Sequence, residues 1–180
     1  YAVELWLYNW GEPLLHPKII DYISYAKKNN IFSLISTNYS FALSDSKIHS
    51  ILTSGLGLLH IDVDGINQEM YKKYRIGGDL ELVLKNLQKT IKIKKELGLK
   101  YPIIETAMLV NKYNESTVSE YELMMKDYGV DKIVQNRLQV NPNMSKEWLP
   151  SDKSTRHENY FRETTMPPAC SNLYSSMSIN

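Results

Sequence analysis

The first 140 residues alternate between two kinds of hydrophobic pattern. Compact apolar runs are typical of strands buried on both faces, and they lie at 3–8, 31–35, 58–63, 103–110 and 132–140. Between these runs, apolar residues recur every three or four positions, which predicts amphipathic helices over 17–30, 44–55, 79–98 and 118–128. Strands that alternate with helices of this length predict a parallel sheet with right-handed crossovers.

Capping residues mark the ends of two predicted helices. Ser44 and Asp79 stand where an N-cap is needed, because their side-chain oxygens can accept hydrogen bonds from the first free backbone N–H groups. Gly55 and Gly98 follow the same two helices as stop signals. The segment 64–78, which opens with Asp64-Gly65 and closes with Gly77-Gly78, is predicted to be a polar loop.

The count of predicted elements fits an α/β fold, and more narrowly an incomplete parallel βα barrel. Five strands and four helices are too few for a closed eight-unit barrel, and a further strand is needed at the beginning. We expect residues 1–140 to form this barrel core. Residues 141–180 contain prolines in a polar stretch without a sustained period, and we expect a connector and the start of a C-terminal region there. Because the sequence starts within a predicted strand, lacks an initiator Met and ends abruptly, we expect a fragment truncated at both ends.

Composition narrows the function classes. The 180 residues carry a formal net charge of +1, which gives no electrostatic argument for binding nucleic acid or an anionic membrane. No apolar run approaches the ~18 residues of a membrane span. A single cysteine, Cys170, leaves no internal disulfide framework and fits a reducing compartment, so we expect a cytoplasmic protein.

Polar residues stand at the ends of successive predicted strands. The segments are Trp10-Gly11-Glu12-Pro13, Ser36-Thr37-Asn38, Asp62-Val63-Asp64-Gly65 and Glu105-Thr106. The carboxyl ends of parallel strands meet at one edge of a sheet, and ligands bind there in α/β folds. Together these segments indicate the rim of one site for a ligand with ammonium, hydroxyl and carboxylate groups, and Arg75 is suited to hold the carboxylate. Taken singly, each segment is also consistent with an ordinary turn, and Arg75 with a solvated side chain.

The order of these segments resembles the radical SAM superfamily, specifically its members with a C-terminal SPASM or twitch extension. Residues 10–13 match the family's Gly-Gly-Glu-Pro motif, 36–39 its Ser/Thr-Thr-Asn-Gly strand end, and 62–65 its Ser-x-Asp-Gly strand end. Residues 71–78 resemble the Tyr-x-x-x-Arg-x-Gly-Gly stretch that follows. The segment Pro167-Pro168-Ala169-Cys170 looks like the start of a SPASM region, where the first auxiliary-cluster cysteine sits.

The resemblance implies a partial βα barrel that binds S-adenosylmethionine (SAM) against a 4Fe–4S cluster and forms a 5′-deoxyadenosyl radical, which removes hydrogen from a substrate. It places the backbone around Gly11 and the Glu12 side chain at the methionine ammonium, Arg75 at the carboxylate, and Asp62 at the carboxylate or the ribose. The residues that it places at the cofactor are Trp10, Gly11, Glu12, Pro13, Thr37, Asn38, Asp62, Asp64 and Arg75. It implies a small-molecule or peptide substrate, an electron donor such as flavodoxin or ferredoxin, and Cys170 as a ligand of an auxiliary iron–sulfur cluster.

The chain departs from the family pattern at four points. Trp10 replaces the first glycine, Tyr39 a turn glycine, and Asp62 the usual serine. Because an ionised carboxylate only accepts hydrogen bonds, a ribose hydroxyl suits Asp62 better than a ligand carboxylate. The family's Cys-x3-Cys-x2-Cys motif is not in these 180 residues, and one cysteine cannot hold a cluster. We therefore expect the parent protein to be an enzyme and this chain alone to be inactive.

Two other hypotheses stay open at this stage. The first is a non-catalytic α/β scaffold, or a decayed homologue, that binds SAM, a peptide or a partner chain. The second is an unrelated metal-dependent barrel enzyme in which Glu12, Asp64 and Glu105 hold Mg²⁺ through oxygen ligands.

Overall fold

The computed structural model describes residues 3–9, 11–138, 146–151 and 176–178. Its strands are β1 (Glu4–Trp6), β2 (Phe32–Thr37), β3 (Leu58–Asp62), β4 (Ile103–Val110), β5 (Lys132–Arg137) and β6 (Ser176–Ser178). Its α-helices are α1 (Ile19–Lys28), α2 (Asp45–Thr53), α3 (Gln68–Tyr74), α4 (Leu80–Glu96) and α5 (Val118–Tyr128). Within these residues, no helix is both long enough and apolar enough to cross a membrane.

All strand pairs in the sheet are parallel, and the strand order is β5-β4-β3-β2-β1-β6. Strands adjacent in the chain are neighbours from β1 to β5, as expected for successive βα units. The predicted bounds of β4 and α5 are confirmed. Both predicted N-caps are confirmed as well: Ser44 Oγ accepts from the Lys47 N–H at 3.1 Å, and Asp79 Oδ1 accepts from the Leu82 N–H at 3.1 Å.

The two faces of the sheet differ in polarity. On β3, Leu59 and Ile61 are fully buried and belong to the core that the helices cover. The alternate positions His60 and Asp62 are only partly buried and lie on the opposite face, because side chains alternate along a strand. The helices of a βα barrel lie outside, so this second face is the interior face of the partial barrel.

Helix α3 corrects the prediction of a polar loop over 64–78. Asn67 caps the helix, since its Oδ1 accepts from the Met70 N–H at 2.9 Å. Tyr71 is fully buried and packs where glycines leave space. A Cβ on Gly65 would lie 2.7 Å from the Tyr71 backbone nitrogen, and one on Gly78 would lie 2.7 Å from the Tyr71 ring. These tertiary contacts stabilise a short helix for which the sequence pattern gives little signal.

Parts of the segment 141–180 pack on the barrel core. Strand β6 pairs with β1, on the side where a further strand is predicted from the beginning of the chain. Around Trp148, the backbone carbonyl accepts from the Lys112 N–H at 3.1 Å and the ring lies edge-on to Tyr113, with the ring centres 5.0 Å apart. Short segments that the sequence pattern assigns to a connector therefore pack against the core.

The turn after β2 is held by helix α4. Tyr39, which stands where the motif has glycine, has a φ of +55° and a fully buried ring whose hydroxyl lies 2.7 Å from Thr90 Oγ1. The Asn86 amide donates to the carbonyls of Tyr39 at 3.0 Å and Phe41 at 2.8 Å. These contacts compensate the steric cost of a left-handed conformation at a non-glycine residue.

We expect Asn86→Ala to destabilise the protein by about 2 kcal/mol, because two carbonyls at the end of β2 lose their donor. Chemical denaturation monitored by circular dichroism measures this change. The matched control is Gln88→Ala, an exposed position of α4, which should change stability by less than about 0.5 kcal/mol. Equal effects of the two substitutions would contradict the assigned role of Asn86.

Candidate functional site

The carboxylate of Glu12 joins the ends of β1 and β2. Its Oε1 accepts from the Leu14 N–H at 3.1 Å, at the start of a short 3-10 turn (Pro13–Leu15), and its Oε2 accepts from the Asn38 N–H at 3.0 Å. Gly11 precedes it with a φ of +105°, a conformation that glycine adopts at no steric cost. Burial raises the pKa of Glu12, although hydrogen bonds from Thr37 and the two backbone N–H groups oppose this.

The carboxylate of Asp64 joins β3 to β4 and to the end of α3. It is buried, with only 1% of the residue exposed. Its Oδ1 accepts from the Leu109 N–H at 2.7 Å, and its Oδ2 accepts from Arg75 Nε at 2.6 Å. Burial raises the pKa of Asp64, and the charge of Arg75 and the Leu109 N–H oppose that effect. Asp64 therefore holds the Arg75 side chain in position through a buried contact within the protein.

Arg75 lies between two carboxylates. Besides its contact with Asp64, its Nη2 lies 3.0 Å from Asp62 Oδ2. Burial lowers the pKa of Arg75, but the two carboxylates outweigh burial and raise it overall. The guanidinium is therefore a permanent cation at the carboxyl end of β3.

A further acid–base pairing continues from Asp62 across the interior face. His60 Nε2 lies 3.3 Å from Asp62 Oδ1, and His60 Nδ1 lies 2.6 Å from Glu105 Oε1. Lys132 Nζ lies 2.6 Å from Glu105 Oε2. Register explains the arrangement, because His60 pairs with Glu105 on β4 and Glu105 pairs with Lys132 on β5.

These six side chains form one row of alternating charge, which we call the charge row. In order, its members are Asp64, Arg75, Asp62, His60, Glu105 and Lys132. Sequence reasoning missed His60 and Lys132 as members. The signal for His60 was its spacing of two residues from Asp62, which places both side chains on one face of a strand.

The structure brings the predicted site residues together in two adjoining groups. Gly11, Glu12, Thr37 and Asn38 lie at the ends of β1 and β2, and Asp62, Asp64 and Arg75 lie at the end of β3. The groups are close enough for the charge of Asp62 to act on Glu12 and raise its pKa. Trp10 and Cys170 lie outside the described residues, and Pro13 is buried in the turn after Glu12.

Thr37 and Asn38 shape the turn that follows β2. The Thr37 hydroxyl accepts from the Tyr39 N–H at 3.0 Å, and Asn38 Oδ1 accepts from the Ser40 N–H at 3.0 Å. The assignment of these two residues to a cofactor cavity stays a prediction.

The carboxylates considered for Mg²⁺ do not form a metal centre. Glu12 accepts backbone N–H groups, Asp64 is paired with Arg75, and Glu105 lies between His60 and Lys132. Among the residues that the structure describes, no group of three or more potential ligands is arranged to hold a metal ion.

Comparison with known sequences gives partial matches. No family model matches the chain. It is 27% identical over 134 residues to the tungsten-containing aldehyde ferredoxin oxidoreductase cofactor-modifying protein of Pyrococcus furiosus, covering 73% of this chain and 37% of that protein. It is also 27% identical over 122 residues to the GTP 3′,8-cyclase of Clostridium botulinum, covering 67% of this chain and 36% of that protein. The chain thus spans little more than a third of these curated relatives.

Comparison with solved structures shows the fold. SuiB of Streptococcus suis bound to S-adenosylmethionine matches with a TM-score of 0.65 and 12% identity, over 84% of this chain and 33% of that one. TYW1 with a lysine-pyruvate adduct matches with a TM-score of 0.58 and 23% identity, over 81% and 45%. anSMEcpe with bound AdoMet and the Cp18Cys peptide matches with a TM-score of 0.58 and 14% identity, over 82% and 43%.

The fold is therefore the partial parallel βα barrel of the radical SAM type, as the sequence predicts. The sequence matches and the structural matches together support the resemblance to the radical SAM superfamily. Neither set of matches distinguishes a SPASM or twitch subtype.

We expect Asp64→Asn to destabilise the protein by about 3 kcal/mol. An amide has one acceptor oxygen, so its NH2 group must face either the Leu109 N–H or Arg75, both of which are donors. The matched control is Asp45→Asn on α2, where an exposed carboxylate pairs with Lys89 and the melting temperature should not change. Similar losses of stability in both variants would show that the buried ion pair of Asp64 contributes no more than an exposed one.

We expect the protein to lose stability as the pH rises above 6.5 through the titration of His60. Burial lowers the pKa of His60, but Asp62 and Glu105 outweigh burial and raise it above its ordinary value of 6.5. The stabilisation is therefore complete below pH 6.5 and is lost as the pH rises through the pKa of the folded state.

Denaturation measured from pH 5 to 9 tests this expectation. His60→Gln should flatten the dependence on pH, whereas His49→Gln at an exposed position of α2 should leave it unchanged. Burial raises the pKa of Glu105, but Lys132 and His60 outweigh burial and lower it, so its contribution is lost only when the pH falls below 4.5. A His60→Gln profile that still falls above pH 6.5 would contradict the assignment.

Proposed function

We propose that these residues form the SAM-binding part of a radical SAM enzyme, whose 5′-deoxyadenosyl radical removes a hydrogen atom from a substrate. The observation that carries the proposal is that an anionic group, Glu12, at the ends of β1 and β2, and a fixed cation, Arg75, at the end of β3, lie at the carboxyl edge of one parallel sheet. A methionine moiety presents the complementary ammonium and carboxylate. Two structural neighbours, SuiB and anSMEcpe, contain bound S-adenosylmethionine or AdoMet, which supports this choice of ligand.

The residues at the end of β1 fit the ammonium end of SAM. A carboxylate offers about four lone-pair positions, and the hydrogen bonds from Leu14, Asn38 and Thr37 leave Glu12 capacity for an ammonium donor. At Gly11, a Cβ would meet no atom within 4 Å, so the space beside that backbone is open.

The 180 residues do not fit the 4Fe–4S cluster that the superfamily uses. Such a cluster takes several thiolates, and the sequence contains one cysteine. We therefore assign SAM recognition to these residues and the cluster to residues outside this sequence.

We propose the finer assignments on the same basis. Residues 1–140 form the barrel core, and 141–180 form a connector and the start of a SPASM-like region in which Cys170 holds an auxiliary cluster. The substrate is a peptide or a small molecule, and the electron donor is a flavodoxin or ferredoxin. A peptide is supported by the anSMEcpe structure, which contains a bound peptide.

The test uses the complete gene product, purified without oxygen. We expect it to bind SAM in equilibrium dialysis and to release 5′-deoxyadenosine when reduced with dithionite. Gly11→Val should weaken SAM binding by about tenfold or more, equivalent to at least 1.4 kcal/mol, because the side chain excludes the ligand from the backbone.

Gly98→Val is the matched control. Both glycines have positive φ, +105° at Gly11 and +62° at Gly98, and a Cβ at either would meet no atom within 4 Å. Both variants therefore place a β-branched residue at positive φ in open space, and only Gly11 lies at the proposed ligand site. Equal SAM affinity in the two variants would contradict contact at Gly11. Failure of the unaltered protein to bind SAM would refute the proposed function, and binding without cleavage would favour the non-catalytic scaffold.

A further inference from the structure

Arg75 is held differently by its two carboxylates. Asp64 is buried and also accepts from the Leu109 N–H at 2.7 Å, so it cannot leave the guanidinium without exposing two donors. The side chain of Asp62 is 20% exposed, lies at the end of its strand and has a second cationic neighbour in His60. Asp62 is therefore the carboxylate that can exchange partners.

Charge counting shows why that exchange matters. One guanidinium between two carboxylates carries a local net charge of −1. A third carboxylate brought to Arg75 by a ligand is repelled by Asp62, because like charges disfavour one another at hydrogen-bonding distance. A serine at position 62, as in the motif that this chain resembles, would instead donate a hydrogen bond to the incoming carboxylate.

We propose that Asp62 competes with the ligand carboxylate for Arg75, and that Asp62 pairs with His60 instead of Arg75 when the ligand binds. This inference rests on the proposed function, in which the ligand is SAM. Asp62 is then a determinant of specificity, because it reduces the gain in affinity that a ligand obtains from its carboxylate.

His60 is placed to receive Asp62. Its Nε2 already lies 3.3 Å from Asp62 Oδ1, and its Nδ1 is fixed 2.6 Å from Glu105, which is paired in turn with Lys132. An imidazolium donates from both nitrogens. After the exchange, Arg75 pairs with Asp64 and the ligand, and His60 pairs with Asp62 and Glu105, so that no charge in the charge row is left without a partner.

The experiment compares two ligands on the complete gene product. SAM and S-adenosyl-3-methylthiopropylamine, which keeps the ammonium and sulfonium but lacks the carboxylate, are measured by isothermal titration calorimetry. We expect the unaltered protein to prefer SAM by less than about tenfold, because displacement of Asp62 offsets most of the gain at Arg75.

Two variants isolate the charge of Asp62. Asp62→Asn and Asp62→Ser should both bind SAM about tenfold more tightly, with unchanged affinity for the decarboxylated analogue. Asp45→Asn, which removes an exposed carboxylate from α2, should change neither affinity. The comparison of ligands on the unaltered protein keeps the test decisive if the variants do not fold.

Several results would overturn the inference. Weaker or unchanged SAM binding in both Asp62 variants would show that Asp62 contacts the ligand or is indifferent to it. A gain in Asp62→Ser alone would assign the effect to the new hydroxyl donor. A preference for SAM well above tenfold in the unaltered protein would show that Asp62 does not compete. If no form of the protein binds SAM, the proposed function fails together with the inference, which distinguishes that outcome from the others.

Discussion

The buried carboxylate of Asp64 is the constraint on which the interior face of the sheet depends. An ionised group with 1% exposure requires a charged partner and hydrogen bonds, because burial without them costs several kcal/mol. Arg75 supplies the charge and the Leu109 N–H supplies the hydrogen bond. Since Arg75 directly follows α3, the same pairing fixes the end of that helix against the ends of β3 and β4. One residue thereby sets the position of a helix, two strands and the cation of the candidate site.

The charge row follows from this constraint. While Nε of Arg75 is paired with Asp64, Nη2 meets Asp62 on the interior face of the barrel. Each further member then requires a neighbour of opposite sign, and strand register supplies His60 and Glu105. The members of the charge row are tolerated on this face because each lies next to a group of opposite sign, while the opposite face of the same strands packs apolar residues against the helices.

Local patterns predicted those elements whose signals are local. Strand β4, helix α5 and the capped starts of α2 and α4 depend on apolar periodicity and on single capping residues, and all are confirmed. Helix α3 was missed because its stability depends on the burial of Tyr71 in the hydrophobic core, which a seven-residue polar segment does not signal. Strand β6 was missed because its pairing with β1 joins residues more than 160 positions apart. In the candidate site, residue types predicted roles for Glu12 and Arg75 that stay predictions, and the partners of both side chains depend on register and three-dimensional contacts that spacing alone does not encode.

The two ends of the candidate site are built on different physical principles. Glu12 is oriented by the backbone N–H groups of Leu14 and Asn38, whose positions are fixed by the fold. Arg75 is oriented by side-chain charges, one of which, Asp62, has a second cation within reach. Backbone donors give a preorganised site, whereas exchangeable ion pairs give a site whose affinity depends on what the displaced group can do instead. The geometry at the end of β1 therefore favours rigid recognition, and the geometry at the end of β3 favours recognition by exchange.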